Sequence, residues 1–388
     1  MNDKANPPDI RDSFRVDTWV HILGGLVERH HRLWIRMGKI ESWFLTDALA
    51  GIPVDKPVYV TGLARSGSTI LLEMLDWHPD VATHRYRDYP MLFTPYMWNR
   101  YLDRTPQNNA RPMERSHRDG IFITPESPEA FEEVLWMAFF TGIHDTAISS
   151  VLDGECQNPE FESFYRDHIR KLLLARKGTR YVSKGNYNIT RMEYLLRICE
   201  NSRFIIPVRE PVWHIASLMK QHRLFRAGQE DNPRAVAHLR RVGHFEFGID
   251  RRPINTGDSQ RVEEVRQLWE NGEEVEGWAR YWAHIHDFLA DRLEANNRLK
   301  EAAMVVRYED LCQSPAEQFR SILEHCGLSV PEELIGRAEE RIRFPGYYRP
   351  KFSQQELDTI ERLTGKTARR FGMGRFDTDP PLSTPDTR

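Results

Sequence analysis

The sequence predicts an α/β fold, a parallel sheet flanked by helices. Short apolar runs near Val58, Tyr181, Phe204 and Val305 alternate with longer segments of helical spacing, the pattern of strands wound with helices on both faces. The first run, Val58-Tyr59-Val60, passes through a glycine-bearing turn straight into Ile70-Leu71-Leu72-Glu73-Met74-Leu75, a helix start. With 388 residues, 40% hydrophobic content and ten tryptophans, the chain can bury a large core, as one α/β domain with insertions or as two domains.

Taken in order, residues 13–50 read as mostly helical, with Phe14, Trp19, Leu23 and Leu26 at helical spacing. Residues 1–50 are therefore a helical N-terminal extension, a cap or a dimerisation arm that leaves a homo-oligomer open. Residues 51–376 hold the sheet-bearing domain. Between Ser127 and Arg176 two helices are expected, one carrying Phe131, Leu135, Trp136 and Phe139, the other Phe161, Phe164, Ile169 and Leu172. Such stripes usually pack into a core. Thr190 and Glu193 have the spacing of a capping box for the helix through Leu195-Leu196. Residues 224–262 break the alternation with a Gly-, Arg- and Pro-bearing stretch that includes Gly243-His244-Phe245-Glu246-Phe247-Gly248, the candidate lid insertion. An amphipathic helix follows, with Trp278, Tyr281, Trp282, Ile285 and Leu289 on one face. Residues 377–388 are polar and Pro-bearing, and a disordered tail is expected there.

Composition narrows the function classes. A net charge of −3 argues against a nucleic-acid partner, so any anion must be drawn by a local basic pocket. No apolar run approaches the roughly 18 residues needed to span a bilayer. Met1–Pro8 lacks the pattern of a signal peptide, and a cytoplasmic protein is expected. Cys156, Cys199, Cys312 and Cys326 have no CxxC spacing, which indicates neither a disulfide framework nor a zinc site. His30-His31, His284-x-His286 and the pair His214 and His222 match no metal-site spacing and read as surface or core histidines. Arg240-Arg241 and Arg251-Arg252 read as a solvated face or as contacts to an acidic acceptor.

The chemistry concentrates in two places. The turn Gly62-Leu63-Ala64-Arg65-Ser66-Gly67-Ser68-Thr69 aims backbone N–H groups and a helix dipole at whatever anion it holds. Its Gly62-x4-Gly67 spacing is that of a P-loop, but Ser68 stands where an NTPase has lysine. The basic residue is instead Arg65, whose planar fork suits two oxygens of a phosphate or sulfate. A second apolar run, Arg203–Val208, ends at Arg209-Glu210-Pro211, with Ser217 eight residues beyond Arg209. That puts an arginine at a strand's carboxyl end and a hydroxyl two turns into the next helix, at the sheet edge where ligands collect.

Together these motifs resemble the sulfotransferases that use 3′-phosphoadenosine 5′-phosphosulfate (PAPS), nearest to their bacterial and tyrosylprotein or carbohydrate branch. The resemblance runs in order from about Val58 to Phe371. It takes in Arg180-Tyr181-Val182-Ser183-Lys184, 25 residues before Arg209, and Tyr308-Glu309-Asp310-Leu311. It implies a P-loop NTPase-like fold and PAPS as sulfuryl donor, with adenosine 3′,5′-bisphosphate as product and no metal required. It also implies that Arg65, Ser66, Gly67, Ser68 and Thr69 hold the phosphosulfate, that Arg209 and Ser217 clamp the 3′-phosphate, and that Lys184 is the transition-state lysine. Tyr308 would lie near the adenine, or is an ordinary interfacial tyrosine.

In the family the general base is His or Glu, and the position aligned with the Glu of one branch is Tyr86. His84 and Asp88 flank it and are the candidate bases, with neither as the remaining option. The resemblance also implies an acceptor, a small molecule, carbohydrate, lipid, phenol or peptide, whose hydroxyl or amine attacks sulfur in line, and Phe225, Phe245 and Phe247 line its pocket or only pack. Two other readings stand beside this one. A P-loop kinase of a small metabolite is opposed by the absent lysine, and an inactive nucleotide-binding scaffold by the intact set Arg65, Lys184, Arg209 and Ser217.

Overall fold

The computed structural model describes residues 10–105, 112–115, 117–118, 120–345 and 348–380. Its strands are β1 (Val58–Val60), β2 (Val81–Ala82), β3 (Met113–Glu114), β4 (Phe122–Ile123), β5 (Arg180–Lys184), β6 (Arg203–Val208) and β7 (Ala303–Arg307). Five of them form one parallel sheet in the order β2-β5-β1-β6-β7, while β3 and β4 pair as a separate antiparallel hairpin. The expected α/β class and parallel sheet flanked by helices are what the chain adopts.

The central strand explains the covering on both faces. Val58 and Val60 pack with Leu71, Leu75, Val182 and Phe319 in one layer. Tyr59 points the other way, stacking on Phe204 at 5.7 Å and packing with Tyr165, Tyr181 and Leu172. Burying each such side chain fully is worth about 1.5–3 kcal/mol, and a strand buried on both sides reads as an unbroken apolar run. The register then sets which strand ends lie together. Val60 lies beside Lys184 of β5 and Ile205 of β6, so the carboxyl ends of the three strands open side by side.

Three α-helices precede β1 among the described residues: α1 (Thr18–Arg29), α2 (His31–Phe44) and α3 (Thr46–Ala50). Their inward residues are Gly24, Val27, Ile35, Gly38, Glu41 and Leu49, whereas Trp19 and Leu26 face outward, so the stripe with Phe14 and Leu23 is not one buried face. The capping box at Thr190 and Glu193 does not form. Thr190 still belongs to the tight turn Asn186–Thr190 and donates its hydroxyl to the Tyr187 carbonyl, while Glu193 accepts from Arg292 and Asn296. The helix Glu274–Ala295 buries Trp278, Tyr281, Trp282, Ile285 and Leu289 and lies against the helix Gln354–Arg370. Residues 224–262 comprise the end of the helix Pro211–Gln229, the helix Pro233–Arg241, an irregular run and the start of the helix Ser259–Glu270. Residues 381–388 of the expected tail, and Met1–Pro8, lie outside the described residues. Among the described residues no helix is long and apolar enough to cross a membrane, and no three His, Cys, Asp or Glu side chains group as metal ligands.

Candidate active site

The loop after β1 is shaped by close approaches that only glycine permits. A Cβ on Gly62 would stand 2.9 Å from the Pro207 carbonyl oxygen. Gly67 has φ +106°, and a Cβ there would stand 2.7 Å from the Tyr308 ring. Arg65 itself sits at φ 72°, a left-handed conformation rare for a residue with a side chain. The helix Ser68–Asp76 starts at Gly67 without a side-chain cap, so its first-turn N–H groups are left to face the loop. Buried Ser66 Oγ has no hydrogen-bond partner among the described residues. An anion seated in the turn supplies partners to all of these groups.

Behind the loop stand the residues from the next two strand ends. Arg65 Nε donates to Ser217 Oγ at 3.4 Å, and Arg209 Nη1 donates to the Arg65 carbonyl at 3.3 Å. The Arg209 guanidinium lies over the Tyr308 ring, 4.8 Å from its centre, and its buried Nε has no hydrogen-bond partner among the described residues. Glu309 accepts the Glu210 N–H at 3.2 Å, and burial pushes its carboxyl up to about 7 against the pull of Arg209. Arg65, Ser66, Gly67, Ser68, Thr69, Arg209, Ser217 and Tyr308 therefore meet around one turn.

On the other side of the loop lies a cavity of about 760 Å³, lined by Arg65, Ser68, Thr69 and Lys184 at one end and by Trp98, Leu102, Phe131, Phe225, Leu239 and Phe247 along its walls. Burial lowers the Lys184 pKa, with Arg115 and Arg65 adding to the effect and Glu129 and Glu246 opposing it. Among the described residues no hydrogen bond or ion pair ties its ammonium down. Arg115 Nη1 donates to Thr69 Oγ1 at 3.2 Å.

A polar chain runs from the loop into the cavity wall. Ser68 Oγ donates to Asn186 Oδ1 at 3.4 Å, and Asn186 Nδ2 donates to Glu246 Oε1 at 2.7 Å. The other Glu246 oxygen lies 3.0 Å from His244 Nδ1. Burial alone would raise the Glu246 pKa, but His244 and Asn186 bring it down to about 2.

Two expected bases are not at this cavity. His84 is buried beneath the sheet edge, its Nε2 2.9 Å from His168 Nε2, and burial lowers the pKa of both rings. Asp88 accepts from Arg176 at 2.6 Å, from Asn99 at 2.9 Å and from the Arg85 N–H at 2.8 Å. Neither lines the cavity, so of the three options left by the sequence, His84, Asp88 or neither, the geometry favours the last. Tyr86 between them does line the cavity. Sequence reasoning missed Arg115, Glu129, Asn186, His244 and Glu246 as site residues. For the last two a signal existed, since two titratable residues sit among aromatic ones in Gly243-His244-Phe245-Glu246-Phe247-Gly248.

The family model described as the sulfotransferase family matches residues 57–251, half of the chain. Sulfotransferase STF9 from Mycobacterium avium superposes with a TM-score of 0.51 at 14% identity, covering 86% of this chain and 83% of that one. Sulfotransferase STF1 from Mycobacterium tuberculosis H37Rv gives a TM-score of 0.46 at 15% identity, over 93% of this chain and 90% of that one. No curated protein matches significantly by sequence.

Proposed function

The chain belongs to the sulfotransferase family, and from that premise we propose that it transfers the sulfuryl group of PAPS in line to an acceptor hydroxyl, releasing adenosine 3′,5′-bisphosphate. The observation that carries this reading is the convergence of the uncapped turn, Arg65, Arg209 and Ser217 at one sheet edge, with Lys184 level with them. PAPS supplies a sulfuryl group already bonded to a phosphate leaving group. Arg65 and the loop N–H groups hold the phosphosulfate oxygens, a task for charge-assisted bonds that needs no metal. Arg209 and Ser217 hold the 3′-phosphate, so binding energy far from sulfur becomes orientation at sulfur. Tyr308, beneath Arg209, takes the adenine side.

Lys184 supplies positive charge to the bridging oxygen as the bond from sulfur to that oxygen breaks and the bond from sulfur to the acceptor oxygen forms. The acceptor proton passes to His244. Glu246, with Oε2 3.0 Å from Nδ1, is placed to favour the ring proton on that nitrogen, to leave Nε2 for the acceptor proton and to stabilise the imidazolium that forms. The aromatic and aliphatic walls suit an acceptor with an apolar body, a lipid alcohol or phenol, better than a free sugar.

Calorimetric titration tests the donor half. Adenosine 3′,5′-bisphosphate should bind without metal, and Arg209→Ala should weaken it about tenfold or more, the loss of a charge-assisted contact. Preference for ATP with magnesium would overturn the reading in favour of a kinase.

A further inference from the structure

The outer face of the extension is apolar where a surface helix is ordinarily polar. Hydrogen bonding of helical type runs through the junction of α1 and α2, from the His30 N–H back to Leu26 and from Leu33 and Trp34 back to His30. On α1 the exposed Trp19, Ile22 and Leu26 share one stripe. On α2 the exposed Leu33, Met37 and Ile40 share another, at separations of three and four residues. At the end of α2, Trp43 and Phe44 are 70% and 64% exposed. A soluble monomer rarely leaves so much contiguous apolar surface bare.

Charge identifies what covers it. Arg29, Arg32 and Arg36 are exposed along the same two helices, whereas Glu28 is tied to Arg241 and Glu41 is turned inward to Lys171. The neighbouring helix Pro95–Arg104, whose Met97 N–H donates to Glu41, adds exposed Met97, Arg100 and Tyr101. The face is thus apolar and basic on a protein whose net charge is −3. Two copies placed face to face would set these arginines against one another, while anionic lipid headgroups complement them. Aromatic and aliphatic side chains flanked by arginine are also the composition of a helix lying in a bilayer interface. The face is continuous with the cavity, since Trp19, Trp98 and Leu102 line it.

We propose that the α1–α2 face docks on an anionic membrane surface, with the mouth of the cavity turned to the bilayer. The docking does not depend on the reaction assigned above, although a lipid-borne acceptor would reach the cavity by this route. Co-sedimentation of the full chain with vesicles of equal parts phosphatidylcholine and phosphatidylglycerol tests it. The protein should pellet with these vesicles at low salt, be released at high salt and ignore pure phosphatidylcholine. The double variants Leu33→Ser/Trp43→Ser and Arg32→Glu/Arg36→Glu should each weaken binding about tenfold or more. Both should keep the wild-type unfolding temperature and affinity for adenosine 3′,5′-bisphosphate, which separates lost docking from a damaged fold or a wrong donor. Wild-type protein that stays in the supernatant with both vesicles overturns the proposal. So does a wild-type dimer that Leu33→Ser/Trp43→Ser makes monomeric, which would give the face to a second copy.

Discussion

Gly67 is the residue on which the proposed anion site turns, because its φ is +106° and a Cβ there would stand 2.7 Å from the Tyr308 ring. Gly67→Ala should cost about 1–3 kcal/mol of unfolding free energy and weaken bisphosphate binding about tenfold, measured by urea unfolding and calorimetry. Lys184 differs in kind, since in the proposed reaction it acts on the leaving oxygen rather than on the nucleotide's anchors. Lys184→Ala should lower kcat by about 10²–10³ with little change in nucleotide affinity, and an equal loss in both would remove it from the transition state. His244→Asn should lower kcat by about 10²–10⁴. Full turnover in that variant, with loss in Glu129→Gln, would move the base to Glu129, the carboxylate that acts most strongly on Lys184. The phosphate-loop residues were legible because their chemistry is local, a glycine spacing and an arginine within one turn. His84 and His244 were not distinguishable, because each ring's surroundings come from segments far away in the chain.

At the scale of elements, α2 is held to the domain by a buried ion pair. Lys171 Nζ lies 3.0 Å from Glu41 and donates to the Gly38 carbonyl at 3.0 Å, and Glu41 also accepts the Met97 N–H. Burial pushes the Glu41 pKa up and the Lys171 pKa down, so each charge depends on the other. Lys171→Ala strands a buried carboxylate and should cost about 3–5 kcal/mol, whereas Lys171→Met with Glu41→Leu should recover most of it. Urea unfolding decides. A single variant within about 1 kcal/mol of wild type would mean that packing, and not the pair, holds α2. The helical period of residues 13–50 was legible, but not which stripe turns inward. That choice rests on Glu41 and Gly38 meeting a helix more than a hundred residues later, while the apolar stripe stays outside.

Acid stability belongs to the whole molecule. Burial holds His222, His238 and His286 down to about 4 from 6.5, so they are neutral when folded and take up protons when the chain unfolds. Their folded pKa values are depressed, which means that stability is fully present above pH 6.5 and is lost as pH falls toward 4. Glu246 and Glu133 are likewise depressed. Burial would raise Glu133, but Arg191 and His144 bring it to about 2, so both carboxylates lose their contribution as pH falls from 4.5 toward 2. Burial raises Glu309 to about 7 and Asp76 to about 6, and these carboxyls act in the opposite sense, gaining stability as pH falls through that window, so thermal unfolding should decline in two stages below pH 6.5 with the first stage softened by them. An unfolding temperature unchanged between pH 6.5 and pH 4 would show these imidazoles to be hydrated.

By itself the sequence located β1, β5, β6 and β7, the glycine turn after β1 and the two arginines beside it, since apolar runs, glycine spacing and a strand-terminal arginine act over a few residues, whereas the two-residue β2 carried no such signal. Tertiary structure alone decided that Asn186 and Glu246 converge on that turn, that His84 and Asp88 are buried away from it, and that the α1–α2 stripe faces outward. Those outcomes depend on the parallel register, which lines up the ends of β1, β5 and β6, and on packing between segments whose separation in the chain carries no local signal.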